Sequence, residues 1–122
     1  MSRLYTPADV EAKLVALSQE YDESHKELDN AEMEYASAKS LYEINSARAR
    51  LTIRARALEA GRKITVQEVD DESTVECASE LTRLNTSEAI VRAARANAQR
   101  LRTQIDIARS VGTAVRAAMD MG

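Results

Sequence analysis

The chain has no tryptophan and no phenylalanine, and in 122 residues it holds one cysteine, one proline and three glycines. Without large aromatics there is little to fill a thick globular core, and few residues favour strands. Cys77 is alone, which excludes an internal disulfide and fits a reducing compartment. There is no Gly-rich phosphate loop, no metal-spaced His or Cys cluster and no nucleophile elbow, so neither an enzyme nor a bound cofactor or metal is expected. No apolar run approaches a membrane span, and Met1 to Pro7 lead straight into an acidic amphipathic run instead of a secretory signal. A cytoplasmic protein is expected. The net charge of −3 means that any nucleic-acid binding has to rest on local basic clusters.

What is abundant is Ala, Arg and Glu, the composition of long helices. Thr6-Pro7-Ala8-Asp9 reads as a helix start, with Thr6 capping, Pro7 in the first turn and Asp9 at the positive helix end; Tyr5 and Val10 can staple it. From there Val10, Leu14, Leu17, Tyr21, Ser24, Leu28, Ala31, Tyr35, Ala38 and Tyr42 recur at alternating spacings of four and three, a heptad seam. Past Tyr42 the apolar positions shift by about one and continue as Leu41, Ile44, Leu51, Ala55 and Leu58, predicting a discontinuity in packing. Gly61 supplies a left-handed stop, and Thr65 with Glu68 opens a capping box stapled by Ile64 and Val69. A second helix follows from about Val66. Val69, Cys77 and Leu81 start its seam weakly; Leu84, Ser87, Val91, Ala94, Ala98, Leu101, Ile105, Ala108, Gly112, Val115 and Met119 carry it on. Asn85-Thr86-Ser87 is a run of poor helix formers and predicts a kink or break near 85.

The charges alternate in blocks. Residues 1–47 hold ten acids and four bases, residues 48–63 six bases and one acid, residues 64–82 six acids and no base, and residues 83–116 seven bases and two acids. Folded about Gly61, opposite blocks meet: Arg48, Arg50, Arg54 and Arg56 near Asp70, Asp71, Glu72 and Glu76, and Glu32 and Glu34 near Arg92 and Arg95. The expected fold is therefore all-α, one helical domain over 1–122 forming a long antiparallel two-helix hairpin of coiled-coil type, with helices over about 7–60 and 66–119 and a bend at 61–65. Leu14, Leu17, Tyr21, Leu28, Tyr35, Leu51, Leu58, Leu81, Leu84, Val91, Leu101, Ile105 and Val115 are the expected packing residues of hairpin or oligomer. A hairpin buries one stripe per helix and leaves Val15, Tyr42, Ile44, Ile53, Ile90, Ile107, Val111 and Met121 outside one narrow seam, so self-association into a homo-oligomer is expected.

Three features carry candidate chemistry. His25 lies among Asp22, Glu23, Ser24 and Glu27 and reads as a solvated surface residue in preference to a metal ligand. Cys77 has acidic neighbours that disfavour a thiolate, so it reads as packed and inert. The basic block Arg48, Arg50, Arg54, Arg56, Arg62 and Lys63 can hold the phosphates of single-stranded DNA, and an oligomer would multiply it; the acids after the bend can equally neutralise it.

Three stretches in order, Glu32 to Tyr42, the basic run leading into Gly61 to Glu68, and Arg100 to Ser110, resemble small helical proteins of tailed bacteriophages of the UvsY-like recombination mediator family. The resemblance spans most of residues 8–119 and rests on patterns of residue type. It implies an all-helical oligomer that binds single-stranded DNA and helps a phage or host recombinase displace a single-strand-binding protein. By that resemblance Arg54, Arg56, Arg62 and Lys63 hold the DNA, with Arg48 and Arg50 adjoining. The chain departs from the pattern in lacking Trp and Phe and in following its basic run with Asp70, Asp71 and Glu72. The rival expectation is a phage interaction or morphogenesis factor that meets a protein partner through exposed apolar helix faces.

Overall fold

The computed structural model describes residues 5–121, so residues 1–4, on which part of the reading of the N-terminus rests, lie outside it. The described residues form three helices and no strand: α1 (Pro7–Glu59), α2 (Val66–Glu76) and α3 (Ala78–Met121). None of them is long and apolar enough to cross a membrane. The contacts divide the chain into two units, one of residues 1–30 with 92–122, the other of residues 31–91.

In the first unit the early part of α1 lies against the late part of α3. Leu17, Leu101 and Ile105 form its buried centre, with Leu14, Tyr21 and Ala108 packed around them. Val10 stands so close to α3 that a Cβ on Gly112 would come 2.9 Å from its Cγ1. Contacts that climb α1 descend α3, so within this unit the two run antiparallel. α1 is started here by reciprocal bonds: Asp9 donates its amide N–H to Thr6 Oγ1 (3.2 Å), and Thr6 donates its own to Asp9 Oδ2 (3.0 Å). Two orphan donors of the helix end are thereby satisfied.

The second unit contains the chain reversal. α1 closes with Arg62 N–H donating to Ala57 O (2.9 Å) and Gly61 N–H to Leu58 O (3.1 Å), the 6→1 and 5→2 bonds of a Schellman ending. Gly61 sits at φ +66°, the left-handed region in which a Cβ is costly. Thr65 then caps α2, its hydroxyl oxygen accepting from Glu68 N–H at 3.1 Å. On α1 Ala38 is buried and Tyr35 and Tyr42 half-buried; beyond them the buried positions are Ser46, Ile53 and Ala57 on α1 and Val69, Ser73 and Cys77 after the bend, with Ser46 bonded to Ser73.

Two expectations are corrected here. The intrachain seam does not continue through Leu41, Ile44, Leu51, Ala55 and Leu58, all of which are exposed, Leu51 and Leu58 to 65% and 82%. From Ala38 the buried series steps on by eight residues to Ser46 instead of seven, so the seam passes to small side chains on the far side of the helix. Ile53, expected outside the seam, is buried within it. The helix break lies at Cys77, not at 85–87, and the second half of the chain is two helices. Cys77 leaves helical geometry (φ −101°, ψ 24°) where buried positions spaced by four, Val69, Ser73 and Cys77, give way to the three-and-four rhythm of α3. The 85–87 run stays helical, with Ser87 buried and its hydroxyl donating back to Arg83 O (2.8 Å).

Candidate functional site

Every residue of the basic block lies in the second unit, on the last turns of α1 and in the bend. At 3.6 residues per turn the four arginines of α1 do not share one face. Arg50 turns inward and donates to Ser46 Oγ at 2.9 Å; Ser46 Oγ lies 3.3 Å from Ser73 Oγ, and Ser73 donates to Ser46 O at 3.2 Å. Its guanidinium thus serves a small polar layer that joins α1 to α2. Arg56 faces Glu76 at 4.0 Å and Arg62 faces Glu72 at 3.6 Å, both pairs exposed. Arg48, Arg54 and Lys63 are exposed and make no hydrogen bond or ion pair among the described residues.

The acids after the bend therefore meet only part of the block. Asp71 accepts from Gln67 Nε2 at 2.8 Å, within its own helix. Farther from the bend, Glu34 pairs with Arg83: the Nε and a terminal guanidinium nitrogen both reach Glu34 Oε1, at 2.8 and 2.6 Å. Residues 31–91 hold eleven acids and eight bases, so the unit that carries the basic block has a net charge of −3 while residues 1–30 and 92–122 together balance at nine and nine. Any attraction for phosphate is local to the end of α1 and the bend.

Of the expected packing residues, Leu17, Val91, Leu101 and Ile105 are buried; Leu14, Tyr21, Leu28, Tyr35, Leu81, Leu84 and Val115 are half-buried. His25 is exposed and meets Tyr21 edge to face, ring centroids 4.6 Å apart, and no group of three or more His, Cys, Asp or Glu among the described residues could hold a metal ion. Cys77 is buried, and burial pushes its thiol pKa up, with Glu80 and Glu76 adding to the rise and Arg50 opposing it. Glu80 is held below the usual carboxylate range, first by its own backbone N–H, then by the Ser79 hydroxyl and by Asn45 Nδ2 at 3.3 Å.

Besides the basic block there are two apolar surfaces, the second of them carrying Leu51 and Leu58 of the expected packing residues. An open groove of about 630 Å³ in the first unit is lined by Tyr5, Val10, Ala12, Leu17, Ile107 and Val111, with Asp9, Lys13 and Gln104 at its polar edge. The other is the outer face of α1, where Leu41, Ile44, Leu51, Ala55 and Leu58 follow one another at heptad spacing with Arg48 among them. Comparison with protein-family models, with curated proteins and with solved structures finds no match.

Proposed function

We propose that the chain is a non-enzymatic, self-associating helical protein that holds the backbone of single-stranded DNA at the end of α1 and the bend, as a phage recombination accessory protein that helps load a recombinase in the host cell. The observation that carries this reading is the set of three exposed cations, Arg48, Arg54 and Lys63, that no acid among the described residues engages. Arg56 and Arg62 stand beside them in long, exposed pairs. Such pairs contribute about 0–1 kcal/mol, so a phosphate can displace Glu76 or Glu72 at little cost. One subunit offers few contacts, and an assembly multiplies them.

The test is fluorescence anisotropy of a labelled single-stranded oligonucleotide titrated with the protein at two salt concentrations. Binding that weakens steeply with salt, and that an Arg48→Glu, Arg54→Glu, Lys63→Glu variant of unchanged helix content loses, is the expected result. An isotherm that ignores salt, or a folded variant that binds like the parent, rejects it. The second reading, an interaction or morphogenesis factor with a protein partner, is favoured by the open apolar groove of the first unit. Under it the folded protein gives no anisotropy change even at low salt.

A further inference from the structure

From Leu41 to Leu58 α1 is apolar on two opposite sides. One side is the series Ser46, Ala49, Ile53 and Ala57, buried except for the half-buried Ala49 and closed by the later helices. The other, about half a turn away by the 3.6-residue period, is Leu41, Ile44, Leu51, Ala55 and Leu58, spaced three and four apart around Arg48 and open to water. A helix needs one apolar stripe to join its own fold; a second, at heptad spacing, is a surface for another helix.

We infer that this outer stripe pairs with the same stripe of a second copy, antiparallel about a two-fold axis. The charges on the stripe select both the occupant and the direction. Its only charged core position is Arg48, and Glu59 flanks its far end; both are exposed and without a partner among the described residues. A parallel, in-register pair would set Arg48 beside its own copy, a like-charge contact in the seam. Run antiparallel in the register that brings Arg48 level with the second copy's Leu58 and Glu59, the Arg48–Leu58 part of the stripe is complementary to itself, and Leu41 and Ile44 fall beside the second copy's bend. Leu51 then faces Ala55, and Leu58 covers the aliphatic stem of Arg48, whose guanidinium reaches outward to the carboxylate. The two-fold axis repeats each of these contacts, as an isologous interface requires.

The pairing rests on the self-association of the proposed function and takes Arg48 into the seam, leaving Arg54 and Lys63 to the strand; it is tested without nucleic acid, by sedimentation of the full chain over a concentration series. The parent associates. Leu51→Glu weakens association on the order of tenfold or more in dissociation constant while helix content holds and, at concentrations where both are monomeric, so does the melting temperature, because residue 51 is largely exposed within the chain. Arg48→Glu and Glu59→Arg each weaken it, and the double variant Arg48→Glu, Glu59→Arg restores it. A parent that stays monomeric over the series, a Leu51→Glu variant that associates like the parent, or a double variant as weak as the single ones overturns the inference. A monomer that still binds oligonucleotide would remove the pairing and leave the DNA reading standing.

Discussion

At the scale of single residues, size and chemistry do less than position. Leu101 is 2% exposed and sits in the centre of the first unit, whereas Leu58 is 82% exposed. Leu101→Ala should therefore cost about 2–5 kcal/mol in chemical denaturation, and Leu58→Ala at low protein concentration should stay within about 0.5 kcal/mol of the parent. Equal losses would mean that Leu58 is covered in the isolated chain. A Cβ added at Gly61 would meet nothing within 4 Å, so the cost of Gly61→Ala comes from its positive φ alone, about 1–2 kcal/mol in the same assay. Gly112 is required for the opposite reason. Its backbone is helical, but Val10 Cγ1 fills the place of its Cβ, and a β-branched side chain has little freedom to turn away.

At the scale of elements, the ends are carried by local chemistry. Thr65→Ala removes the acceptor for Glu68 N–H and should destabilise by about 0.5–2 kcal/mol on thermal unfolding followed by circular dichroism. The break at Cys77 joins two titrating groups. Glu80 has its folded pKa lowered, so its contribution to stability is present above the ordinary carboxylate range and is lost as pH falls through the lowered value; Glu80→Gln should make the acid limb of a stability-versus-pH curve shallower. Cys77 has its pKa raised, so the neutral thiol stabilises up to the ordinary thiol range and that contribution fades as pH rises. A thiol reagent at neutral pH should modify it far more slowly in the folded chain than in denaturant. Fast labelling of the native protein would show that the packing over Cys77 opens. The seam from Val10 to Tyr42 is legible because three-and-four spacing is unambiguous there. Past Tyr42 the true seam runs through Ser46, Ala49, Ile53 and Ala57, with Ile53 its one large side chain, while Leu51 and Leu58 stand on the outer face, so side-chain size points mostly to the wrong side. The break is hidden for a related reason: Asn85, Thr86 and Ser87 look like breakers, but they lie inside α3 with Ser87 buried, and the change of spacing at Cys77 is a packing event that no residue type announces.

At the scale of the whole molecule, charge is arranged in blocks instead of spread. The alternation was visible in sequence, and so was the membership of the basic block; which members are engaged was not, because that depends on side-chain direction around α1. Arg50 is committed to Ser46 and belongs to the packing, so Arg50→Ala should lower stability and leave oligonucleotide affinity nearly unchanged once the protein is folded. Arg48, Arg54 and Lys63 should behave in the reverse way. Each phosphate contact on a single strand steepens the fall of log affinity with log salt by about 0.7, so neutralising all three should flatten that slope by about 2. Affinity that drops with the slope unchanged would mean that these cations act through the fold or the assembly and do not touch phosphate. A net charge of −3 on the unit that bears them adds a further expectation. Neutralising Asp70 and Asp71, which lie near the block without pairing to it in this chain, should raise affinity at low salt and have a diminishing effect as the Debye length shortens from about 30 Å at 0.01 M to about 8 Å at 0.15 M.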